Sequence, residues 1–370
     1  MKVIHLTSVH FRYDTRIFVK QCKSLANNGY NVTLVVADGK GDEVKDGINI
    51  IDIGRKNRRI ARILVSTFLV WRKSLLLKAR IFHIHDPELL PAGLFLRLFG
   101  CKIVFDMHEN LPQQLLTKYY LNRSFSVVLS KLVHFFQNIS FRFLPVVFAE
   151  NSYAKHFWPI KHHVTVLNYP IVTAIPAKQA GINRKFRLGY IGEISHERGI
   201  NQIITILENI GTDRIELMLA GPVRPDVSEN LNYKNAQSAG WLMYHGQLSP
   251  KEAWREMGNC DVGLALLFPS PNFFESYPTK LFEYMVLGLP VIASDFPLWK
   301  EIIVGNQCGI CVNPTDSKAI AAAINYLAEN PKEAEELGKR GRKAVEEKYN
   351  WKTEEAKLLA LYNQLINKPK

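Results

Sequence analysis

No apolar run in this sequence is long enough to cross a bilayer. The longest, around Ile63–Trp71, falls well short of the ~20 residues a spanning helix needs. No apolar segment with a small-residue cleavage site opens the chain: Met1-Lys-Val-Ile-His-Leu-Thr reads as a first β-strand, so a cytoplasmic protein is expected. Cysteine is scarce and odd in number, five at scattered positions, which argues against a disulfide-stapled secreted fold and fits a reducing compartment. Cys308-Gly-Ile-Cys311 has redox or half-zinc spacing, but no second pair or His cluster accompanies it, and a buried strand pair is expected. Short-period repeats and low-complexity segments are also missing. Acid is absent from two long stretches: Arg55–Arg80 holds nine Lys/Arg and no Asp or Glu, and Asn110–Ala149 holds no acid either.

Those gaps account for the charge. Residues 1–170 carry 24 Lys/Arg against 11 Asp/Glu, whereas 171–370 carry 23 of each, so the whole net charge of +13 lies in the first part. Large apolar residues are interleaved with it: Ile60, Ile63, Leu64, Phe68 and Trp71 in one stretch, Phe125, Val128, Leu132, Phe135 and Phe143 in the other. Some of these must form the core side of helices that flank a sheet. Basic helices with aromatic residues also suit an anionic membrane surface, and peripheral attachment to the inner face of the plasma membrane is the expectation. Nucleic acid is not expected, since no recognition motif or aromatic platform accompanies the charge.

At 370 residues the chain should form about two domains. Short apolar strands alternate with helices: Val3–Thr7, Val32–Ala37, Ile48–Ile53, Ile81–His85, Lys102–Asp106, Val146–Ala149 and Val164–Leu167, with a long basic helix about Ile60–Lys78 and a helical stretch about Gln113–Phe143. This predicts a doubly wound parallel sheet. Asn168–Asn183, with Pro170 and Pro176, is the candidate linker. A second set follows: Phe186–Ile191, Ile215–Ala220, Trp241–Tyr244, Asp261–Leu266 and Val291–Ala293, then three closing helices with no strand left to cover. The division predicted is 1–170 and 171–351.

The chemistry is densest in Glu275-Ser-Tyr-Pro-Thr-Lys-Leu-Phe-Glu283. Thr279–Leu287 reads as a helix closed by Gly288, and Pro278 at its start frees first-turn amides for another partner. Such an end attracts anions, and acids on either side accept hydroxyl protons. A phosphate centre with a sugar at each end, as in a nucleotide-sugar, has the matching shape. In the first part, His83-Ile-His85-Asp86-Pro87-Glu88 and Asp106-Met-His108-Glu109-Asn110 follow two strands whose loops meet at the carboxyl edge of a parallel sheet, where ligands bind. His83 is expected in the core. No His or acid pair has helical ligand spacing, so no metal is expected.

The block Glu275–Ser294 resembles the Glu-x7-Glu signature of family-four retaining glycosyltransferases of the GT-B fold, and the similarity extends over nearly the whole chain. That resemblance implies two Rossmann-like domains facing a cleft, with the last helix, about 352–370, packing back on the first. It implies transfer of a hexose-type sugar from a nucleotide donor, UDP favoured over GDP, with retention and without cofactor or metal. The acceptor implied is a lipid-linked glycan of bacterial surface-polysaccharide assembly. Glu275 then holds sugar hydroxyls, Glu283 the ribose, and Arg198 and Lys280 the diphosphate, with Thr279 and Gly192 beside it and His245 near the base. His108 takes the role of the imidazole facing the donor sugar, where it could stabilise charge as the bond to phosphate breaks. His85, Asp86 and Glu109 lie toward the acceptor. Arg12 and Arg16 are expected near an anionic acceptor or the diphosphate.

Two departures stand out. Glu193 occupies a place where many relatives have Arg, so it must turn away or pair with Arg198. Ser8-Val-His10-Phe-Arg12-Tyr-Asp14 replaces the usual Gly-Gly loop, with Asp14 or Thr15 as the next helix cap. A GT-B epimerase, or a nucleotide-sugar-binding protein without activity, is the alternative.

Overall fold

The computed structural model describes residues 1–56, 62–116, 122–174 and 184–367. They form two compact units, one of Met1–Asn168 with Trp351–Lys370 and one of Tyr169–Asn350.

Unit 1 is an eight-stranded sheet of β1 (Lys2–Leu6), β2 (Asn31–Val36), β3 (Glu43–Lys45), β4 (Ile48–Asp52), β5 (Ile81–Ile84), β6 (Lys102–Met107), β7 (Val146–Phe148) and β8 (His163–Thr165). The order is β3-β4-β2-β1-β5-β6-β7-β8, and β3 alone pairs antiparallel, on the edge beside β4. Its strands are nearly continuous apolar runs because helices cover both faces. Order reverses between β1 and β5, so the loops after those two strands open the crevice where such sheets bind ligands. The helix Trp351–Asn367 belongs to this unit: Trp351, Leu358, Leu361 and Tyr362 join the core with Val3, Leu34 and Ile81. Glu354 accepts from the Leu167 amide at 2.8 Å, and Trp351 donates to Ser24 at 2.8 Å.

Unit 2 holds β9 (Phe186–Ile191), β10 (Ile215–Ala220), β11 (Leu242–Tyr244), β12 (Val262–Ala265), β13 (Val291–Ser294) and β14 (Gly309–Val312), in the order β11-β10-β9-β12-β13-β14, all parallel. The switch point lies between β9 and β12. Strand β14 lies where a buried strand pair is expected at Cys308–Cys311 but is absent from the strands laid along the chain, and it corrects the expectation that the closing helices cover no strand: Ser317–Glu329 and Pro331–Glu347 both pack on it. The Cys308-Gly-Ile-Cys311 spacing is the entry to that strand, with Cys308 buried and neither thiol in a disulfide.

Other differences are local. The basic helix comprises Arg62–Ser66, with π-type bonding, and Thr67–Leu76; Ile60 and the side chain of Ile63 lie outside the described residues. The stretch after β6 is two helices, Leu111–Leu116 and Arg123–Phe141, with 117–121 outside the described residues. The same holds for 175–183 of the expected linker. No helix among the described residues is long and apolar enough to cross a membrane.

Candidate active site

In unit 2 the loop after β9 must come close to its neighbours, and glycine makes that possible. Gly192 has φ +133°, and a Cβ there would lie 3.2 Å from the Lys280 Nζ. Gly199 has φ +72°, and its Cβ would meet the Leu266 carbonyl oxygen at 2.6 Å, so the β9 loop lies directly against the end of β12. Phe268 N donates to the Glu197 carbonyl at 3.0 Å across the same junction.

Helix Thr279–Val286 points its N-terminus at this junction. Pro278 is its cap residue and offers no side-chain bond to the first-turn amides. Lys280, in the first turn, is 8% exposed; its Nζ sits 3.9 Å from the centroid of the Tyr190 ring and has no hydrogen-bond partner. Burial pushes its pKa well below the usual range, and Arg198 adds to this, against opposing pulls from Glu283 and Glu193. The Arg198 guanidinium lies over the Phe273 ring at 5.4 Å. Two cations thus converge on one helix terminus, an arrangement suited to a polyanion. Glu275 ends the short helix Pro271–Phe274 and is exposed, while Glu283 is half-buried one turn inside Thr279–Val286. The intervening loop is held by Trp299 Nε1 donating to the Ser276 carbonyl at 3.0 Å.

Glu193 does not pair with Arg198. Its carboxylate meets Arg224 at 3.2 Å on the surface, and Arg224 also reaches Glu197 at 3.7 Å. The departure at this position is therefore compensated by a cation the sequence reading did not single out. His245 is exposed at the end of β11, two strands from the switch point, with its amide donating to the Leu219 carbonyl at 2.9 Å.

In unit 1 the loop after β1 has no glycine pair; side chains hold it instead. Asp86 Oδ2 accepts from the Ser8 amide at 2.6 Å and from Thr7 Oγ1 at 2.8 Å, and Thr7 Oγ1 in turn accepts from His10 N at 3.0 Å. Asp14 caps the next helix through the amides of Arg16 and Ile17. The His10 imidazole stands between Asp86 (3.3 Å) and Asp14 (3.6 Å). Burial works against its charge, but the two carboxylates outweigh this and lift its pKa to about 10. Their own pKa values fall to about 2, burial being overcome by His10.

His108 is the opposite case. Burial, the largest cause, drives its pKa down to about 3 despite the nearby Asp106 carboxylate. His10, His85, Asp86, Glu88, His108 and Glu109 line a cavity of about 200 Å3. Five imidazoles run in file from it into the core, His10–His108–His85–His5–His83, with neighbouring centroids 4.7–5.2 Å apart. His5 Nδ1 and His85 Nε2 are 2.8 Å apart, and His83 Nδ1 meets the Tyr362 hydroxyl at 2.9 Å. Two trios in this file have metal-ligand chemistry, His5/His83/His85 and His85/Asp106/His108, a convergence across strands that linear spacing could not signal. In the second, Asp106 Oδ2 already accepts from Gln21 (2.6 Å) and Arg16 (3.1 Å) and lies 3.2 Å from His85 Nδ1.

Arg12 and Arg16 are corrected here. Both are buried and already neutralised: Arg12 by Asp38 at 2.7 Å and Glu43 at 3.0 Å, Arg16 by Asp106 at 2.7 Å with a further bond to the Val166 carbonyl at 2.8 Å. An anionic ligand would have to displace a buried carboxylate to reach either one. They brace the loop after β1 instead.

Residues 173–344 match the family model described as glycosyl transferases group 1. The chain is 24% identical over 189 residues, 50% of its length and 48% of the relative's, to the capsular polysaccharide biosynthesis glycosyltransferase CapM of Staphylococcus aureus. It spans about half or less of the length of the curated relatives it matches. Its fold is that of sucrose-phosphate synthase from Thermosynechococcus elongatus (TM-score 0.76, 17% identity, 99% of each chain covered). HepE of Anabaena in complex with UDP-glucose is similar as well (TM-score 0.74, 12% identity, 98% of this chain and 100% of that one covered). Two Rossmann-like units in sequence give the chain a GT-B fold, and residues 173–344 carry its similarity to glycosyl transferases group 1.

Proposed function

We propose that the protein is a retaining glycosyltransferase that takes a hexose-type sugar from a nucleotide donor and needs no metal. The observation that carries this is Lys280: a buried amino group with no hydrogen-bond partner, at a helix N-terminus, beside Gly192, where any side chain would crowd it, and next to Arg198. Burying an unpaired cation is costly in the free protein, and a donor diphosphate would relieve that cost. The two cations and the first-turn amides then neutralise the leaving group, the role a metal serves elsewhere. Glu275 accepts from sugar hydroxyls and Glu283 from the ribose. Thr279 and Gly192 border the diphosphate, and His245 lies toward the base. UDP is favoured over GDP, in keeping with the HepE complex.

His108, neutral at ordinary pH, is assigned to the reacting sugar, and His85, Asp86 and Glu109 to the acceptor side. The acceptor proposed is a lipid-linked glycan of bacterial surface-polysaccharide assembly, met at an anionic membrane surface on its cytoplasmic side. CapM supports the pathway, and exposed Phe125, Val128, Leu132, Phe135 and Phe143 in the acid-free stretch support the surface. Turnover of radiolabelled UDP-hexoses with a membrane extract, with and without chelator, tests the reading. Transfer that survives EDTA is expected; transfer abolished by EDTA and restored by magnesium or manganese would refute metal independence.

A further inference from the structure

Unit 1 contains a much larger cavity than the histidine pocket, of about 940 Å3, and it lies at the other edge of the sheet. Cys101 precedes and Lys102 begins β6, Pro145 precedes β7 and His162 precedes β8, so the cavity opens at the amino ends of three parallel strands. The histidine pocket lies at the carboxyl ends, with the six residues of β6 between them, ~20 Å of strand. The two cavities are therefore separate, with no lining residue in common.

The walls are mostly aliphatic, from Leu94, Leu98, Ile103, Pro145, Leu361 and Leu365. Arg97, Lys102 and His162 are the basic lining groups, and no Asp or Glu is among the described residues that line it. Lys102 Nζ donates to the Leu365 carbonyl, which fixes that cation at the wall. The apolar surface continues outward: Leu98 is 84% exposed and Phe99 69%, with Phe95 and Phe143 beside the mouth also exposed. At this volume the cavity is at the upper end of small-molecule sites, ~300–1,000 Å3, and its chemistry is apolar with basic groups at hand. Apolar walls call for a hydrocarbon chain and the basic groups for an anionic head; a soluble sugar or nucleotide would gain nothing from such walls.

We infer that this groove takes one chain of a phosphate-headed membrane lipid, with the phosphate at Arg97 and Lys102. The inference deepens the membrane reading above: surface charge would bring the protein to the bilayer, and a seated lipid would hold unit 1 there in one orientation.

Cys101 is a free, partly buried thiol in the lining, and Cys311, free and partly buried in unit 2, is an internal control. Alkylation of both by N-ethylmaleimide can be followed by mass spectrometry on the full chain, with dodecyl phosphate, dodecanol or inorganic phosphate added. Dodecyl phosphate at about ten times its Kd should slow Cys101 about tenfold and leave Cys311 unchanged. Neither dodecanol nor inorganic phosphate should match it, and Arg97→Glu should remove the protection. Unchanged Cys101 labelling, equal protection by dodecanol or inorganic phosphate, or equal slowing at Cys311 would overturn the groove. Phosphatidylglycerol vesicles separate the two readings. Co-sedimentation without slower Cys101 labelling would overturn the groove and leave membrane attachment standing. Protection by dodecyl phosphate without vesicle binding would do the reverse.

Discussion

The two units share one winding, yet their switch points have opposite electrostatics. In unit 1 the cations are matched: Arg12 and Arg16 lie in buried carboxylate pairs, and His10 is held between two acids. In unit 2 the cation is left over: Lys280 is buried with no hydrogen-bond partner, and Arg198 beside it lies over an aromatic ring. Topology selects where a ligand goes, and the unmatched charge selects which ligand. A matched charge holds the fold together, whereas an unmatched one weakens it until its partner arrives.

Truncation of the buried cations should break the comparison open. Arg16→Met strands Asp106 in the core, with an expected loss of ~3–5 kcal/mol of stability, read as a lower denaturant midpoint of unit 1. The carboxylates of unit 2 sharpen it next. Glu275→Gln should lower turnover by roughly 10²–10³, while Glu283→Gln should mainly weaken donor binding; steady-state kinetics giving wild-type values for both would remove the catalytic assignment.

Titration follows from the imidazole file. His5 and His83 are held well below the ordinary 6.5 by burial, and His108 at about 3, so they add stability above pH 6.5 that is lost as pH falls. His10, raised to about 10, adds stability below 6.5 that is lost as pH rises toward 10. Thermal melts should therefore weaken on both sides, and His10→Gln should flatten the alkaline limb while also changing the acid limb, because His10 holds the Asp14 and Asp86 carboxyls near 2. The smallest effect is expected at Glu193→Gln, because its pair with Arg224 is a surface one: within ~0.5 kcal/mol in stability and little change in donor affinity.

The fold was largely legible in the sequence because alternating apolar strands and helices have few other solutions. Strand β14 is absent from the strands laid along the chain because it is only four residues long and Gly309 and Cys311 dilute its apolar pattern; burial against the closing helices makes it a strand. Of the candidate site in unit 2, Glu275, Thr279, Lys280 and Glu283 could be read together because they sit close in sequence around one helix start, with Gly192 and Arg198 on a separate loop. Tyr190, which faces Lys280, was not legible: an aromatic in an apolar strand reads as core. Arg12 and Arg16 were misread because their partners, Asp38 and Asp106, lie 26 and 90 residues away, a pairing that only the sheet creates. The five-imidazole file, drawn from two strands and the loops after β1, β5 and β6, was invisible for the same reason.

On the function proposed, Lys280 is held in reserve for a diphosphate, and one variant tests this in two directions. Thermal melts of wild type and Lys280→Met, each with and without UDP, are the measurement. Lys280→Met is expected to melt at or above the wild-type temperature when free, because a buried amino group with no hydrogen-bond partner is gone. UDP is expected to raise the wild-type midpoint but barely move the variant's, an affinity loss of ~2–4 kcal/mol. A variant that melts lower than wild type and still gains the full UDP shift would contradict the proposal.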